Sequence, residues 1–325
     1  MMMMMMMMMM MMMMMMMVMM MMMMMIMMIS KQCSVKGVTL VFEELKIQLS
    51  IIYTCLQKNA ARVVERNGNL LDHLSKTCSI LNISEPITEY TLHHIHFDHD
   101  RKLLYCYVPK VACTSWKRIW MKMTGVVSRD TPLASIDRLD VHTKLPKLHG
   151  EIENLKDILK SYRKFMFVRD PFNRVLSAYK DKLLNEDTNS NYNFHENIGG
   201  QIQKKYRGYN SGGHDVTFPE FISYISEDGE NTTKEQNNEH WLSVHNLCNP
   251  CAIQYDFIGK YENLEEDAHY LLDWMGVTDI ISKFPVSDQP THVKHYDPKF
   301  YNQLNKKRRN HFYGKYIEDY LAFDY

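Results

Sequence analysis

The sequence carries no excess of charge of either sign. Its 325 residues include 38 lysines and arginines against 38 aspartates and glutamates, which gives a formal net charge of zero. A protein that coats nucleic acid needs a broad positive field, so the composition argues against that class and predicts no nucleic-acid partner. Cationic sites confined to one part of the surface remain compatible with it.

Cysteine is scarce and odd in number. Seven cysteines in a chain of this length do not form the dense disulfide framework of small secreted domains. One or two disulfides would fit an oxidising compartment. Two N-glycosylation sequons, Asn82-Ile83-Ser84 and Asn231-Thr232-Thr233, are compatible with a chain that faces such a lumen.

Methionine is concentrated at the N-terminus. Residues 1–29 are methionine except Val18, Ile26 and Ile29, and the tract has no charge. As a helix it would span roughly 43 Å, which predicts a transmembrane signal anchor rather than a cleaved signal peptide. Two alternatives stay open. The tract could be a repetitive start of translation with no anchoring role, or the C-terminal part could face the cytosol, since Lys31 and Lys36 follow the tract and no base precedes it.

C-terminal to the methionine tract, the spacing of apolar residues changes at about residue 90. Residues 30–89 have apolar side chains three or four positions apart, which is typical of a stem or of peripheral helices. Residues 90–325 alternate between strand and helix patterns, which predicts one α/β catalytic domain with a central parallel sheet flanked by helices. The polar segment 185–213 is expected to be a surface insertion near an acceptor cleft. The expected strand and helix pairs are 102–108 with 115–125, 164–168 with 171–184, and 255–259 with 263–275.

The turn after the first predicted strand has the composition of an anion site. It runs from Pro109 to Ser115 and leads into a helix, whose first N–H groups are unpaired and carry a partial positive charge. Lys110 adds a full charge, and Thr114 and Ser115 add hydroxyl donors. The turn contains no glycine and the Walker motif G-x-x-x-x-G-K-[ST] is absent, which disfavours a Mg²⁺-dependent nucleotide kinase. Taken alone, such a turn is more often a plain connection whose lysine is solvated.

A second candidate anion site follows the second predicted strand, from Arg169 to Ser177. Arg169 leaves the end of the strand and Ser177 lies about two turns along the next helix, so a guanidinium fork and a hydroxyl could meet on one phosphate. Alone, Arg169-Asp170-Pro171 is more often a capped helix start. Two anion sites on neighbouring strands suit a ligand that carries a phosphate at each end.

The segments VPKVACTSWKR and FVRDPFNRVLSAYKDKL, which contain these two sites, closely resemble the nucleotide-binding motifs of a known family. That family is the membrane-bound carbohydrate sulfotransferases, which include chondroitin, dermatan and N-acetylgalactosamine 4-O-sulfotransferases. The resemblance continues through NEHWLSVHNLCNPCAIQYDFIGKYENLEEDA and YIEDYLAFDY, and it covers roughly Leu103 to Tyr325. Ser115 stands where asparagine is usual and Asn173 where glutamate is usual, and both keep a polar group.

The resemblance implies a P-loop-like sulfotransferase fold and 3′-phosphoadenosine 5′-phosphosulfate as the donor. The first motif would bind the 5′-phosphosulfate, with Lys110 at its centre, and the second would bind the 3′-phosphate, chiefly through Arg169 and Ser177. No metal is expected, because the donor carries its own leaving group. The residues expected to bind the donor are Pro109, Lys110, Val111, Ala112, Cys113, Thr114, Ser115, Arg169, Asp170, Pro171, Phe172, Asn173, Arg174, Val175, Leu176 and Ser177.

The same resemblance implies a partner and a location. The acceptor would be a hydroxyl of a glycan, with the 4-position of N-acetylgalactosamine in chondroitin, dermatan or a related glycan as the leading expectation and another sugar hydroxyl as the alternative. The chain would be a single-pass type II protein of the Golgi membrane, held by residues 1–29, with its catalytic domain in the lumen.

Catalysis of this reaction makes specific demands on side chains. Sulfuryl transfer passes through a loose, in-line transition state, so positioned cations and N–H groups supply most of the catalysis. Lys110 fits the role of neutralising the leaving phosphate. A base must take the acceptor proton, and histidine suits this role near neutral pH. His142 resembles in position the catalytic histidine of uronyl 2-O-sulfotransferases, His240 lies in the NEHW motif, and His149 or a carboxylate also stays open.

One cluster of histidine and cysteine admits a different interpretation. His240, His245, Cys248 and Cys251 form the pattern H-x₄-H-x₂-C-x₂-C, whose members are all possible zinc ligands. The spacing is crowded, and in the resembling family the cysteine pair has no known need for metal, so disulfide bonding is expected. A zinc-dependent interaction module, which chelators would unfold, is the non-enzyme alternative.

Overall fold

The computed structural model describes residues 36–83, 86–150, 152–184, 193–226, 237–285 and 297–325. The predicted anchor over residues 1–29 and the sequon at Asn231 lie outside these ranges. The chain has two compact units, residues 1–61 and 62–325. Within the described ranges, no helix combines the length and the apolar character that crossing a bilayer requires.

The central sheet has four strands, β1 Ile95–Asp98, β2 Leu103–Cys106, β3 Arg163–Val168 and β4 Phe257–Lys260, in that order. The pairs β2–β3 and β3–β4 are parallel, which confirms the predicted parallel sheet. Strand β1 is antiparallel to β2 and forms an edge that the sequence pattern does not predict. Residues 99–102 alone connect the two strands, and so short a connection permits only antiparallel pairing.

Helices follow the three parallel strands as predicted, with ends that differ by one or two residues from the expected ones. In chain order the helices are α1 Lys36–Ile80, α2 Glu89–Leu92, α3 Cys113–Met123, α4 Arg138–Thr143, α5 Leu155–Ser161, α6 Pro171–Lys182, α7 Gly200–Arg207, α8 Phe218–Ser226, α9 Val244–Cys248, α10 Leu264–Met275, α11 Pro298–Tyr301, α12 Lys306–Lys315 and α13 Ile317–Ala322. Pro171 occupies the first turn of α6, where its missing N–H costs nothing, and Gly276 ends α10 with a φ of 71°.

The sheet lies in an aromatic core. Tyr105 of β2 and Phe165 of β3 are stacked, with ring centroids 4.8 Å apart, and Trp116 of α3 packs on both strands. All three side chains are fully buried. Strand β2 and the last four residues of β3 are apolar because protein covers both faces of the sheet, which is why each appears in the sequence as a continuous apolar run.

The second half of α1 belongs to this core. Val63, Leu70 and Leu74 are buried, and their spacing by whole helical turns places them on one face. They join the apolar cluster that surrounds the sheet. This part of α1 is therefore a wall of the second compact unit, residues 62–325.

A second apolar cluster packs against α6. It includes Phe172 of α6, Phe221 of α8 and Phe312 of α12. The segment 185–213 contributes to it as well. Of its described part, Phe194–Gly199 is π-helical and continues as α7, with Ile198 and Ile202 buried. The prediction of a surface insertion is therefore wrong for these residues, because their apolar side chains lie along one helical face that packs inward.

Candidate functional site

The two predicted anion turns meet at one edge of the sheet. They follow β2 and β3, which are parallel, so both turns open beyond the same ends of the strands. Arg169 is 5% exposed, and its Nη1 atom donates a hydrogen bond to the backbone oxygen of Lys110 at 3.2 Å. The guanidinium also lies over the ring of Tyr261, 4.2 Å from its centroid. The structure thus joins Lys110 and Arg169 by a direct contact.

The first turn has an unusual backbone. Lys110 and Ala112 have φ values of 72° and 64°, a left-handed conformation that costs a non-glycine residue roughly 1–2 kcal/mol. This backbone leads the chain into α3 at Cys113. Ala112 is the N-cap of α3 and offers no side-chain acceptor to the first N–H groups of the helix. Those N–H groups, with half-buried Thr114 and Ser115, form a surface suited to an anion.

Lys110 is paired with a carboxylate that sequence reasoning missed. Its Nζ atom lies 3.0 Å from Oδ2 of Asp181, which also lies 3.4 Å from Nζ of Lys182. Burial raises the pKa of Asp181, but Lys110 and its hydrogen bond outweigh this and leave the pKa below its ordinary value. Asp181 belongs to the segment YKDKL within the second motif, so its presence near the turn could have been inferred from the helical position alone.

Two carboxylates, Asp170 and Glu262, hold the turn that contains Arg169. Asp170 caps α6 by accepting a hydrogen bond from the N–H of Asn173 at 2.8 Å, and its own N–H donates to Oε1 of Glu262 at 3.1 Å. Burial raises the pKa of Asp170 to about 6. The hydroxyl of Tyr325 donates to Oε2 of Glu262 at 2.8 Å. Both oxygens of Glu262 therefore hold parts of the chain that position Arg169.

Glu239 defines the other side of the cleft. Its Oε2 atom lies 3.2 Å from Nε2 of His94 and accepts a hydrogen bond from the hydroxyl of Tyr107 at 3.3 Å. Nζ of Lys117 lies over the Tyr107 ring, 3.3 Å from its centroid. Burial raises the pKa of Glu239, but the hydrogen bond from His94 and the neighbouring basic groups of His240 and Lys117 bring it down to about 2. With its side chain 35% exposed, Glu239 is an ionised carboxylate facing the cleft, and its position directly before His240 in the sequence is the signal that could have identified it.

The two candidate bases lie near Glu239 and share one property. Burial and then Lys182 lower the pKa of His240 to about 3, while partial burial and then Lys117 lower that of His142 to about 4. Both rings are therefore neutral at pH 7, as a proton acceptor must be. Nδ1 of His240 lies 2.8 Å from Oδ1 of Asn238, so Nδ1 donates and the free electron pair is on Nε2.

Several residues of the two motifs are buried rather than exposed to the cleft. Arg174 is 1% exposed, and its guanidinium donates to the backbone oxygen of Leu242 and lies near Asp319. It anchors the chain that leads from Glu239 into α9. The apolar motif members form the frame under the turns; they are Val111, Phe172, Val175 and Leu176.

The cysteine pair of the H-x₄-H-x₂-C-x₂-C pattern is bonded to distant partners. Cys248 forms a disulfide with Cys106 of β2, and Cys251 forms one with Cys78 of α1. The expectation of disulfide bonding is thus confirmed. A sulfur in a disulfide is not a thiolate ligand, so this geometry does not support the zinc alternative. In the ranges that the structure describes, no group of three or more histidine, cysteine, aspartate and glutamate side chains is arranged to hold a metal ion.

The structure places two cation-bearing turns at adjacent strand ends of an α/β sheet, and it places Glu239 near the neutral rings of His142 and His240. This arrangement suits an enzyme that acts on an anionic substrate. Comparison with known proteins narrows that class. The model of the sulfotransferase family matches residues 93–325. The chain belongs to the sulfotransferase family and is a sulfotransferase, as the resemblance of its two motifs predicts.

Three relatives show how far the similarity extends. Carbohydrate sulfotransferase 11 of Mus musculus is 34% identical over 307 residues, which are 90% of this chain and 83% of that protein. Carbohydrate sulfotransferase 14 of Danio rerio is 35% identical over 269 residues, 76% of this chain and 66% of that protein. Carbohydrate sulfotransferase 9 of Homo sapiens is 34% identical over 282 residues, 82% of this chain and 61% of that protein. No solved structure gives a significant match.

Proposed function

We propose that this sulfotransferase moves the sulfuryl group of 3′-phosphoadenosine 5′-phosphosulfate onto a hydroxyl of a glycan. The observation that carries the proposal is the hydrogen bond between Arg169 and the backbone of Lys110, because it brings the two cation-bearing turns into direct contact. A donor with a phosphate at each end needs two such turns at a fixed separation. The relatives, which are carbohydrate sulfotransferases by name, support a sugar as the acceptor.

Each turn would bind a different part of the donor. The turn from Pro109 to Ser115 would hold the 5′-phosphosulfate through Lys110 and the first N–H groups of α3. The turn from Arg169 to Ser177 would hold the 3′-phosphate, with Arg169 fixed by the Tyr261 ring. The buried members of the second motif keep α6 in place beneath Arg169.

The chemistry follows from these positions. The acceptor oxygen attacks sulfur while the bond between sulfur and the bridging oxygen of the phosphosulfate breaks, and the electron pair leaves with 3′-phosphoadenosine 5′-phosphate. Lys110 exchanges Asp181 for the leaving phosphate, whose growing charge it neutralises. The acceptor proton goes to a neutral histidine, His142 or His240. The negative donor would raise the lowered pKa of either ring and so strengthen it as a base.

The leading acceptor is the 4-hydroxyl of N-acetylgalactosamine in chondroitin, dermatan or a related glycan, and the resemblance of the two motifs supports it. A lumenal location in the Golgi is supported by the two disulfides, which persist in oxidising compartments. Anchoring in the membrane by residues 1–29, as a single-pass type II protein, stays a prediction.

Transfer of labelled sulfate tests the proposal. The full chain is incubated with labelled donor and with desulfated chondroitin, desulfated dermatan and N-glycan acceptors. We expect transfer to at least one of them, and we expect Lys110→Ala and Arg169→Ala each to lower kcat/KM by at least about a hundredfold while the fold is kept. Lys156→Ala, in an exposed lysine of α5, is the matched control and should retain full activity. Full activity in either cleft variant would defeat the assignment.

A further inference from the structure

A cavity that the donor site does not use lies between α2 and α9. It has a volume of about 490 Å³, which is within the range of about 300–1,000 Å³ typical of small-ligand sites. Nine residues line it, namely Pro86, Thr88, Tyr90, Thr91, Asn237, Leu242, His245, Asn246 and Asn249.

The lining exposes more apolar than polar surface, and none of these nine residues is a lysine, arginine, aspartate or glutamate. Asn237 and Asn246 offer amides, which both donate and accept hydrogen bonds, and Tyr90 offers a hydroxyl. The amide of Asn249 is held by the backbone of Pro86 and Ala252, and the hydroxyls of Thr88 and Thr91 bond to each other. The ring of Tyr90 adds an apolar face that is 44% exposed. Amides and hydroxyls that match sugar hydroxyls, beside an aromatic face that covers sugar C–H groups, are suited to an uncharged pyranose. Among the described residues that line the cavity, a uronate carboxylate would find no lysine or arginine to replace its water.

The cavity adjoins the acceptor side of the cleft. Tyr90 lines the cavity, and its backbone oxygen lies 2.8 Å from Nδ1 of His94, whose Nε2 faces Glu239. Asn237 lines the cavity two residues before Glu239 and three before His240. Burial and the Glu239 charge also raise the pKa of the Tyr90 phenol to about 12, as expected for a ring close to that carboxylate. A glycan whose acceptor unit lies beside Glu239 and His240 is therefore close to the cavity.

We propose that this cavity is a subsite for an uncharged sugar unit of the acceptor, a hexose or an N-acetylhexosamine, two units along the glycan from the one that receives sulfate. The inference rests on the proposed function and deepens it. In a glycan that alternates with uronates, every second unit is uncharged, so the subsite would fix which units face the cleft. An acceptor that fills the subsite binds better than a shorter one that cannot reach it.

Asn237→Ala and Asn246→Ala test the subsite in the full chain. Asn246 is exposed, so its truncation does not disturb the core, whereas Asn249 is unsuitable because it ends α9 with a φ of 40° and donates to the backbone oxygen of Pro86. Each variant should raise KM about tenfold for a hexasaccharide of desulfated chondroitin, the loss of roughly one or two hydrogen bonds. KM for the donor and for a disaccharide should not change. Asn310→Ala, an exposed asparagine of α12, is the control.

The Asn246→Asp variant tests whether the unit is uncharged. It should behave like Asn246→Ala toward the hexasaccharide; a far larger, salt-sensitive loss would show that a uronate occupies the cavity and would overturn the inference. Two further results would overturn the subsite: an unchanged KM for the hexasaccharide in both alanine variants, or an equal change in KM for the disaccharide. Neither result would affect the proposed function as long as the wild type transfers sulfate. Failure of the folded wild type to sulfate any sugar would overturn the proposed function, and the inference with it.

Discussion

Replacing Asp181 by asparagine removes the anion that competes with the donor for Lys110. The two side chains are 18% and 25% exposed, and their charged atoms are 3.0 Å apart. A phosphate that took the place of Asp181 beside Lys110 would lie close to the displaced carboxylate. We therefore expect Asp181→Asn to bind the nucleotide more tightly, since both the competition and the repulsion are gone.

The size of the effect follows from Coulomb's law. At an effective dielectric of about 20, two unit charges about 6 Å apart interact by about 3 kcal/mol. Partial exposure and counter-ions reduce this by half or more, which leaves about 1.4 kcal/mol, or a tenfold change in affinity. The same substitution removes a negative charge that raises the pKa of His240, so we expect kcat to gain less than the affinity does.

Calorimetric titration with 3′-phosphoadenosine 5′-phosphate measures this affinity. Asp181→Asn should bind about tenfold more tightly at low ionic strength, and the gain should shrink as salt is added. Asp140→Asn, which removes the exposed carboxylate 2.8 Å from Lys144, is the matched control and should not change affinity. Equal or weaker binding by Asp181→Asn at low salt would refute the assignment of Lys110 to the nucleotide.

Three further predictions concern folding. The pKa of His240 is about 3 in the folded chain, against 6.5 for an exposed histidine, so between these pH values only the unfolded chain binds the extra proton. The free energy of unfolding should therefore fall as the pH drops from about 6.5 to about 3. His240→Gln should make that fall less steep in denaturant titrations. Replacing both Cys106 and Cys248 by alanine should lower the free energy of unfolding by about 2–5 kcal/mol, read as a lower Tm, whereas a chelator should not change Tm. Arg174→Met should cost about 3–5 kcal/mol in urea unfolding, because it removes the buried donor to the backbone oxygen of Leu242 and the positive charge that stabilises the buried Asp319. A loss under about 1 kcal/mol would contradict that role of Arg174.

The parts of the fold that were predictable are those where local pattern and tertiary structure agree. Strand β2 and the last four residues of β3 are continuous apolar runs because both faces of the sheet are covered. Pro171 begins the helix that follows β3, and Gly276 ends the helix that follows β4. Strand β1 has no such signal: it is four residues long and half of it is His96 and Asp98, so only its pairing with β2 makes it a strand.

The cationic part of the site was predictable for the same reason, since each turn follows a strand directly. The carboxylates were harder to assign: Asp181 lies in the second motif and Glu239 directly precedes His240, but their partners Lys110 and His94, like the contact of Glu262 with Asp170, come from distant parts of the chain. The pairing of Cys248 with Cys106 and of Cys251 with Cys78 is of the same kind, because the partners are 142 and 173 residues apart.

The packing of α1 against the sheet determines how a fragment of this protein should be cut for expression. A fragment that began at residue 90, where the strand pattern starts, would lose Val63, Leu70 and Leu74 and would leave Cys251 without its partner Cys78. The exposed apolar groove and the orphan thiol would favour aggregation and mispaired disulfides in the secretory pathway of a production host. A fragment that starts before Arg62 keeps both the helix wall and its covalent tie.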